Sequence, residues 1–270
     1  MSTLDTASLQ ECRLRISSGD RLPTLAKRFG VTWQKLHALL YPAPATELPP
    51  PKLRHSIKLV DAYRPSTLAD LKGQAHVSEP LRRFAASPHP TAMLFEGDTG
   101  TGKTSAALAL AHDLGCDVEQ EELGGVRSIA SGEQTAENVR DLPRSLALRP
   151  MYGSGWKLAI INECDRMHAA AETIWLDRLE AIPAKCVIVF TTNHTAKLSQ
   201  RFLDRCERFA FVSDSATLRP AAIELLRTIW QAEVDSPLRL DIIEDVVNKA
   251  TESKQLSLRR CVQMFQQRLS

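Results

Sequence analysis

Gly97-Asp98-Thr99-Gly100-Thr101-Gly102-Lys103-Thr104 fits the eight-residue pattern G-x-x-x-x-G-K-[ST], and the residues on either side decide how it is read. The apolar run Ala92-Met93-Leu94-Phe95 precedes it and a helix-forming Ser105–Leu114 follows, giving strand, glycine-rich turn and helix in succession. In that setting the glycines let backbone N–H groups converge on phosphate oxygens at a helix N-terminus. Lys103 brings a point charge to the terminal phosphates, and Thr104 offers a hydroxyl to Mg²⁺. A chance glycine-rich turn is the plain alternative, and the flanking strand and helix argue against it.

Outward from this loop, apolar runs alternate with helical segments. Ala92–Glu96 is followed by Lys103–Leu114, Leu158–Ile161 by Ala169–Leu179, and Cys186–Phe190 by Lys197–Leu203. Such alternation predicts an α/β fold with a parallel sheet and crossover helices. After Val212-Ser213-Asp214-Ser215 the apolar spacing becomes helical, in Leu218, Ala222, Leu225, Leu226 and Ile229, then in 240–250 and 256–269. About sixty residues beyond the glycine-rich loop, Lys157-Leu158-Ala159-Ile160-Ile161-Asn162-Glu163-Cys164-Asp165 is an apolar strand with a polar end. Beside a phosphate loop such a strand should end in an acidic residue for the Mg²⁺ water shell and a carboxylate that orients an attacking water. Glu163 suits the second role. Asn162 stands at the first, able to hydrogen-bond a metal-bound water but bringing no charge.

At this point the chain resembles the clamp-loader branch of the AAA+ ATPases, which includes replication factor C and the bacterial DNA polymerase III loader. Tyr63-Arg64-Pro65-Ser66-Thr67-Leu68-Ala69-Asp70-Leu71-Lys72-Gly73-Gln74 is similar to the segment that opens their ATPase module. Asn162-Glu163-Cys164-Asp165 is similar to the D-E-A-D box, and Val187–Asn193 to the strand ending in the sensor-1 Asn. Leu203-Asp204-Arg205-Cys206 is similar to the S-R-C box, with Asp204 in place of Ser, and Ser257-Leu258-Arg259-Arg260 to the start of the sensor-2 helix. The resemblance covers about 61–270 and implies a P-loop AAA+ core at 61–212 and a small helical lid at 213–270. It implies ATP and Mg²⁺ as cofactors, with Tyr63, Arg64 and Gly97 to Thr104 at the nucleotide and Thr104 with Asn162 at the metal. Asn193 would meet the attacking water or γ-phosphate, and Arg259 the phosphates. Arg205, with Arg201 as a second candidate, would reach a neighbouring subunit's site as an arginine finger. Taken alone, Asn193 could cap a strand end, Arg259 could be a solvated helix residue and Arg205 a surface ion pair.

Two departures shape the expectation. Asn162 in place of the usual Asp removes a charge from the metal shell, which predicts weakened Mg²⁺ use and slow hydrolysis with nucleotide binding retained. Clamp-loader subunits also carry a helical collar after the lid. The sequence stops at Ser270, directly after the sensor-2-like segment, so assembly without a collar of its own is expected.

The N-terminal region is a different piece. Arg15 to Leu36, with Gly19-Asp20-Arg21-Leu22, Leu25-Ala26 and Gly30-Val31, resembles a LysM module of β-α-α-β form over about 14–60. Ile57-Lys58-Leu59 would be its closing strand, after the proline-rich 41–51. Leu40 departs from the family's usual Asn. LysM modules usually bind N-acetylglucosamine polymers. The same residues also fit a helix-turn-helix, in which Arg21, Lys27, Arg28 and Lys35 would meet phosphates and Trp33-Gln34 a groove. A third reading is a two-helix protein-docking module with a solvated basic face. The expected boundaries are 1–48 for this module and 49–60 for the connector or closing strand.

The 270 residues suggest about two domains. Their 34 basic and 32 acidic residues give a net charge of only +2, which argues against a strongly basic nucleic-acid protein until it is divided. Residues 1–60 hold nine basic and four acidic residues, a net of +5, leaving −3 for the remainder. Six scattered cysteines without a C-x-x-C pair argue against zinc and disulfides and predict a reducing cytoplasm. No signal segment and no apolar run of about 18 residues is present. Asn193-His194-Thr195 matches a glycosylation sequon, a pattern without meaning in an unsecreted chain. Together these readings predict an ATPase that drives assembly or loading of a replication partner on DNA. Its expected partners are itself or other AAA+ subunits, a sliding clamp, a helicase or a polymerase, with DNA contact plausible and no membrane. The alternatives are a nucleotide-dependent scaffold with little turnover and a cell-wall enzyme.

Overall fold

A computed structural model describes residues 10–12, 15, 22–40, 53, 58–135, 137, 139 and 149–269. The chain forms two compact units, Met1–Pro51 and Lys52–Ser270.

In the first unit, α1 (Leu22–Arg28) and α2 (Trp33–Leu40) are joined by a turn in which Gly30 has φ 63°. That left-handed conformation costs a glycine least. Val31 N donates to Ala26 O at 3.0 Å and closes α1. Leu25, Ala26, Leu36 and Leu40 are buried with Cys12, and Phe29 and Val31 pack against them. Gln10–Cys12 and Arg15 are helical. These two helices stand where the central pair of the expected β-α-α-β module would lie; Arg15, near its expected start, is helical, and Leu59, expected in its closing strand, begins a helix of the second unit, so the described residues show none of its strands. The rest of those strands and the proline-rich connector lie outside the described residues. With the boundary at Pro51 the charge division also changes. The first unit holds six basic and four acidic residues, so the chain's whole net charge of +2 resides there.

The second unit opens with α3 (Leu59–Ala62), a 3₁₀ turn (Leu68–Asp70) and α4 (Ala75–Ala86). There follow β1 (Thr91–Glu96), α5 (Lys103–Asp113), α6 (Glu121–Gly124), β2 (Val126–Ile129), β3 (Lys157–Ile161), α7 (Ala169–Leu179) and β4 (Cys186–Thr192). Then come α8 (Gln200–Leu203), β5 (Glu207–Ala210), α9 (Ser215–Glu233), α10 (Leu240–Ala250), β6 (Thr251–Glu252), β7 (Gln255–Leu256) and α11 (Leu258–Leu269). Five strands form one parallel sheet in the order β2-β3-β4-β1-β5. Each strand sends alternate residues to opposite faces. Met93, Phe95, Leu158, Ile160, Val187 and Val189 meet Ala106 and Leu110 of α5 on one face. Leu94, Ala159, Ile161, Ile188 and Phe190 meet Trp175, Leu179 and Phe202 on the other. Covered on both faces, the interior strands are apolar between their polar ends; every residue of β4 is buried.

Beyond β5 the chain builds a helical lid. Asp214 caps α9, its carboxylate accepting from Thr217 N at 2.9 Å. Leu218, Leu226, Trp230, Ile243, Val247 and Phe265 form the lid core, and Leu59 is buried among them. Leu59 N donates to Gln266 Oε1 of α11 at 3.0 Å. The opening helix α3 thus belongs to the packing of the lid, whereas Leu68, Val77 and Leu81 join the sheet core.

Candidate nucleotide site

At the end of β1 the chain turns through Gly97, φ 143°, where a side chain would stand 2.5 Å from Phe211 O. Gly102, φ 103°, starts α5 without a side-chain cap, and no acidic residue occupies the first turn. Its orphan N–H groups and positive dipole end therefore suit an anion. Lys103 is 8% exposed, and its Nζ donates to Gly97 O, Asp98 O and Asn193 Oδ1, each at 2.8 Å. Burial pushes its pKa down to about 8. Asp98, Asp165 and Glu163 oppose that shift and Arg259 adds to it. The three oxygens that accept from Lys103 are neutral acceptors that a phosphate could replace.

The strand ends complete the site. Thr104 Oγ1 donates to Asn162 Oδ1 at 3.0 Å, while Asn162 Nδ2 donates to Ser128 Oγ at 3.2 Å. The amide's oxygen thus faces the P-loop hydroxyl and its nitrogen faces β2. Glu163 has a left-handed backbone, φ 51° and ψ 53°, which is uncommon for a non-glycine residue and marks a constrained position. Its Oε2 accepts from Ser131 Oγ at 2.6 Å and pairs with Arg166 Nε at 3.1 Å. Gln134, buried on the same side, donates to Asn162 O. Asp165 accepts from Thr192 Oγ1 at 2.9 Å and from Asn193 N at 3.4 Å, fixing the residue that holds Lys103.

Tyr63, Arg64, Gly100, Thr101, Gly102 and Arg259 share a pocket of about 700 Å³, open mouth included, with apolar walls from Leu59, Leu258 and Val262. Tyr63 O–H donates to Glu233 Oε1 at 2.9 Å. Burial and that bond raise its pKa to about 12, so the ring is fastened to α9 as a neutral phenol. Thr101 Oγ1 donates to Asp98 O at 2.8 Å and stiffens the loop, whereas Thr99 is exposed on it. Arg205 is not among the pocket's residues. Its guanidinium donates to Arg201 O at 3.0 Å and to Glu180.

Sequence reasoning placed Gln74, Asp165 and Thr192 in motifs without giving them a role, and passed over Ser131. Gln74 is fully buried. Its amide donates to Val212 O at 2.8 Å and Thr101 O at 3.4 Å, and it accepts from Val212 N at 3.1 Å. It joins the P-loop to the crossing into the lid. A polar Thr-Thr pair ending an apolar strand was the available signal for Thr192.

A P-loop between the interior strand β1 and α5, polar ends on β3 and β4, and a helical lid carrying Arg259 define an AAA+ module. The chain belongs to the family described as DNA polymerase III, delta subunit, whose model matches residues 73–215, and so to the clamp-loader branch of AAA+ proteins. It is 32% identical over 187 residues to replication factor C subunit 3 of Blastobotrys adeninivorans, covering 68% of this chain and 54% of that one. It is 28% identical over 191 residues to the replication factor C small subunit of Haloarcula marismortui, covering 71% and 57%. The chain thus spans little more than half the length of these relatives. A Thermotoga maritima RuvB variant shares the fold at a TM-score of 0.56 and 16% identity, over 75% of this chain and 64% of that one. Among the described residues no helix is long and apolar enough to cross a membrane.

Proposed function

We propose that the chain binds ATP in this pocket and hydrolyses it slowly, as one subunit of an oligomeric AAA+ assembly in the cytoplasm that loads or assembles a replication partner on DNA. The observation that carries the reading is the pair of contacts joining the P-loop to the ends of β4 and β3, Lys103 to Asn193 and Thr104 to Asn162. In this reading the backbone of Gly97–Gly102 takes the phosphates, and Lys103 exchanges loop carbonyls for phosphate oxygens. Arg259 meets the phosphates from the lid, and Tyr63 and Arg64 flank the nucleotide. Thr104 and Asn162 would hold Mg²⁺. Their oxygens lie together, and no cluster of three His, Cys, Asp or Glu side chains occurs among the described residues, which suits an ion that keeps several waters. When bound, the ion neutralises phosphate charge. Glu163 orients the attacking water once it leaves Ser131 and Arg166. Asn193 holds the water or the γ-phosphate, and Arg205, released from Glu180, completes a neighbour's site.

Asn162→Asp restores a charge beside Thr104 and is expected to raise ATP turnover about tenfold, the scale of one charge-assisted contact at the reacting phosphate. A steady-state phosphate-release assay measures it, and an unchanged rate would contradict the role given to Asn162.

The neutral Asn162 and the doubly held Glu163 also favour a second reading, in which nucleotide occupancy orders an assembly and turnover hardly matters. Light scattering with ATP separates the two. A scaffold keeps its assembly in Glu163→Gln and loses it in Lys103→Ala, whereas a turnover-driven loader stalls on its cargo in Glu163→Gln. In both readings the first unit serves as a docking module for a partner protein.

A further inference from the structure

Asp98 is bonded on two sides. Its carbonyl accepts one of the three Lys103 protons at 2.8 Å, and its carboxylate Oδ2 accepts from Gln255 Nε2 at 3.0 Å and from Ser213 Oγ. Ser213 lies on the crossing into the lid, and Gln255 on the two-stranded ribbon β6–β7 inside it. The ribbon is laced to that crossing. Leu256 N donates to Ser213 O at 2.8 Å and Ser215 N to Lys254 O at 2.9 Å. One turn further on, Ser257 Oγ donates to Gly100 O at 3.4 Å. Gly100 admits this approach because any side chain there would stand 2.1 Å from Ser257 Oγ. Gln74 holds the other end of the crossing, so the ribbon meets the P-loop against a fixed pivot.

We infer that Asp98, Ser213 and Gln255 form a latch that holds the lid on the phosphate loop and sets the rate of nucleotide entry and exit. The inference rests on the nucleotide reading of the pocket and assigns Asp98 and Gln255 as positioning residues. Lys103 and the lid share one residue, so a phosphate that draws Lys103 away from Asp98 O loosens the backbone from which the latch carboxylate projects. Phosphate occupancy and lid position are thereby coupled through the backbone and side chain of one residue, Asp98. The latch is charge-assisted, and a hydrogen bond of that kind contributes enough to matter kinetically.

The test uses the full chain with Gln255→Ala on the lid side and Asp98→Ala on the loop side. Hydrogen exchange without added nucleotide reads residues 251–257, and stopped-flow mixing with a fluorescent ATP analogue reads the rates. Both variants are expected to exchange faster in the ribbon, and Gln255→Ala to show association and dissociation rate constants about tenfold higher, the scale of one lost charge-assisted hydrogen bond, with Asp98→Ala, which also loses the Ser213 bond, at least as fast. The double variant is expected to go no further than Asp98→Ala alone, because that substitution already removes the Gln255 contact. Unchanged ribbon exchange in Gln255→Ala, or strictly additive effects in the double variant, would overturn the latch. If the wild-type chain bound no ATP analogue, the nucleotide reading would fail, and the exchange measurement would still decide whether the latch holds the lid.

Discussion

Lys103→Ala is expected to weaken ATP binding by about a hundredfold or more, the scale of two charge-assisted hydrogen bonds to phosphate. The fold should survive, because the side chain's acceptors are two carbonyls of the phosphate loop and the strand-end Asn193, and the lysine is not part of the apolar cores on either face of the sheet. The lowered pKa makes a second, opposite pair of expectations. Between about 8 and the ordinary 10.5, an unfolded chain holds a proton on Lys103 that the folded one has released. The buried charge therefore costs stability below pH 8, and this contribution to stability improves as pH rises through that window. Nucleotide binding runs the other way. Phosphate needs the charged lysine, so affinity should fall as pH rises above about 8, by up to about tenfold per pH unit. Calorimetric titration with ATP at pH 7, 8.5 and 9.5 measures this. Lys103→Arg, charged throughout, should give a flat profile, and an equally flat wild-type profile would remove Lys103 from the phosphate.

How much of this could be read from the sequence follows from how local each signal is. The three interior strands were legible because burial on both faces makes them continuous apolar runs, as in Leu158–Ile161 and Cys186–Phe190. The two edge strands were not. Val126-Arg127-Ser128-Ile129 and Glu207-Arg208-Phe209-Ala210 each expose at least two of four residues, and four residues are too few for alternation to stand out. The P-loop and the strand ends at Asn162 and Asn193 were legible because their chemistry lies in contiguous residues. Gln74 was not, since its bonds to Val212 span 138 positions and nothing beside it announces the partner. Leu59 was misread because Ile57-Lys58-Leu59 alternates like a strand, whereas burial against the lid helices decides its conformation. In the first unit, one apolar spacing serves a LysM-like pair of helices and a helix-turn-helix equally well. The two helices themselves were legible.

The second large effect is expected far from the phosphate loop. Phe190 is fully buried on the sheet face opposite α5, edge-on to Trp175 at 4.9 Å and 84° and to Phe202 at 4.8 Å and 76° between ring centroids and planes. Truncating such a residue leaves a cavity bounded by two rigid rings that cannot collapse into it, so Phe190→Ala should lower the unfolding free energy by about 3–5 kcal/mol. Phe202 is the buried residue of the four-residue α8, which leads directly to Arg205. With its aromatic partner gone, the short helix loses the contact that fixes it, and the Arg205 position should loosen before the P-loop face does. ATP binding at low temperature should therefore persist while activity that requires Arg205 in an assembly falls. Urea unfolding measures the first effect, and turnover of the assembled complex below the unfolding midpoint measures the second. Phe190→Leu, which keeps most of the volume, should recover much of both. A loss below about 1 kcal/mol for the alanine variant would mean that the site relaxes and that the three-ring cluster does not anchor α8.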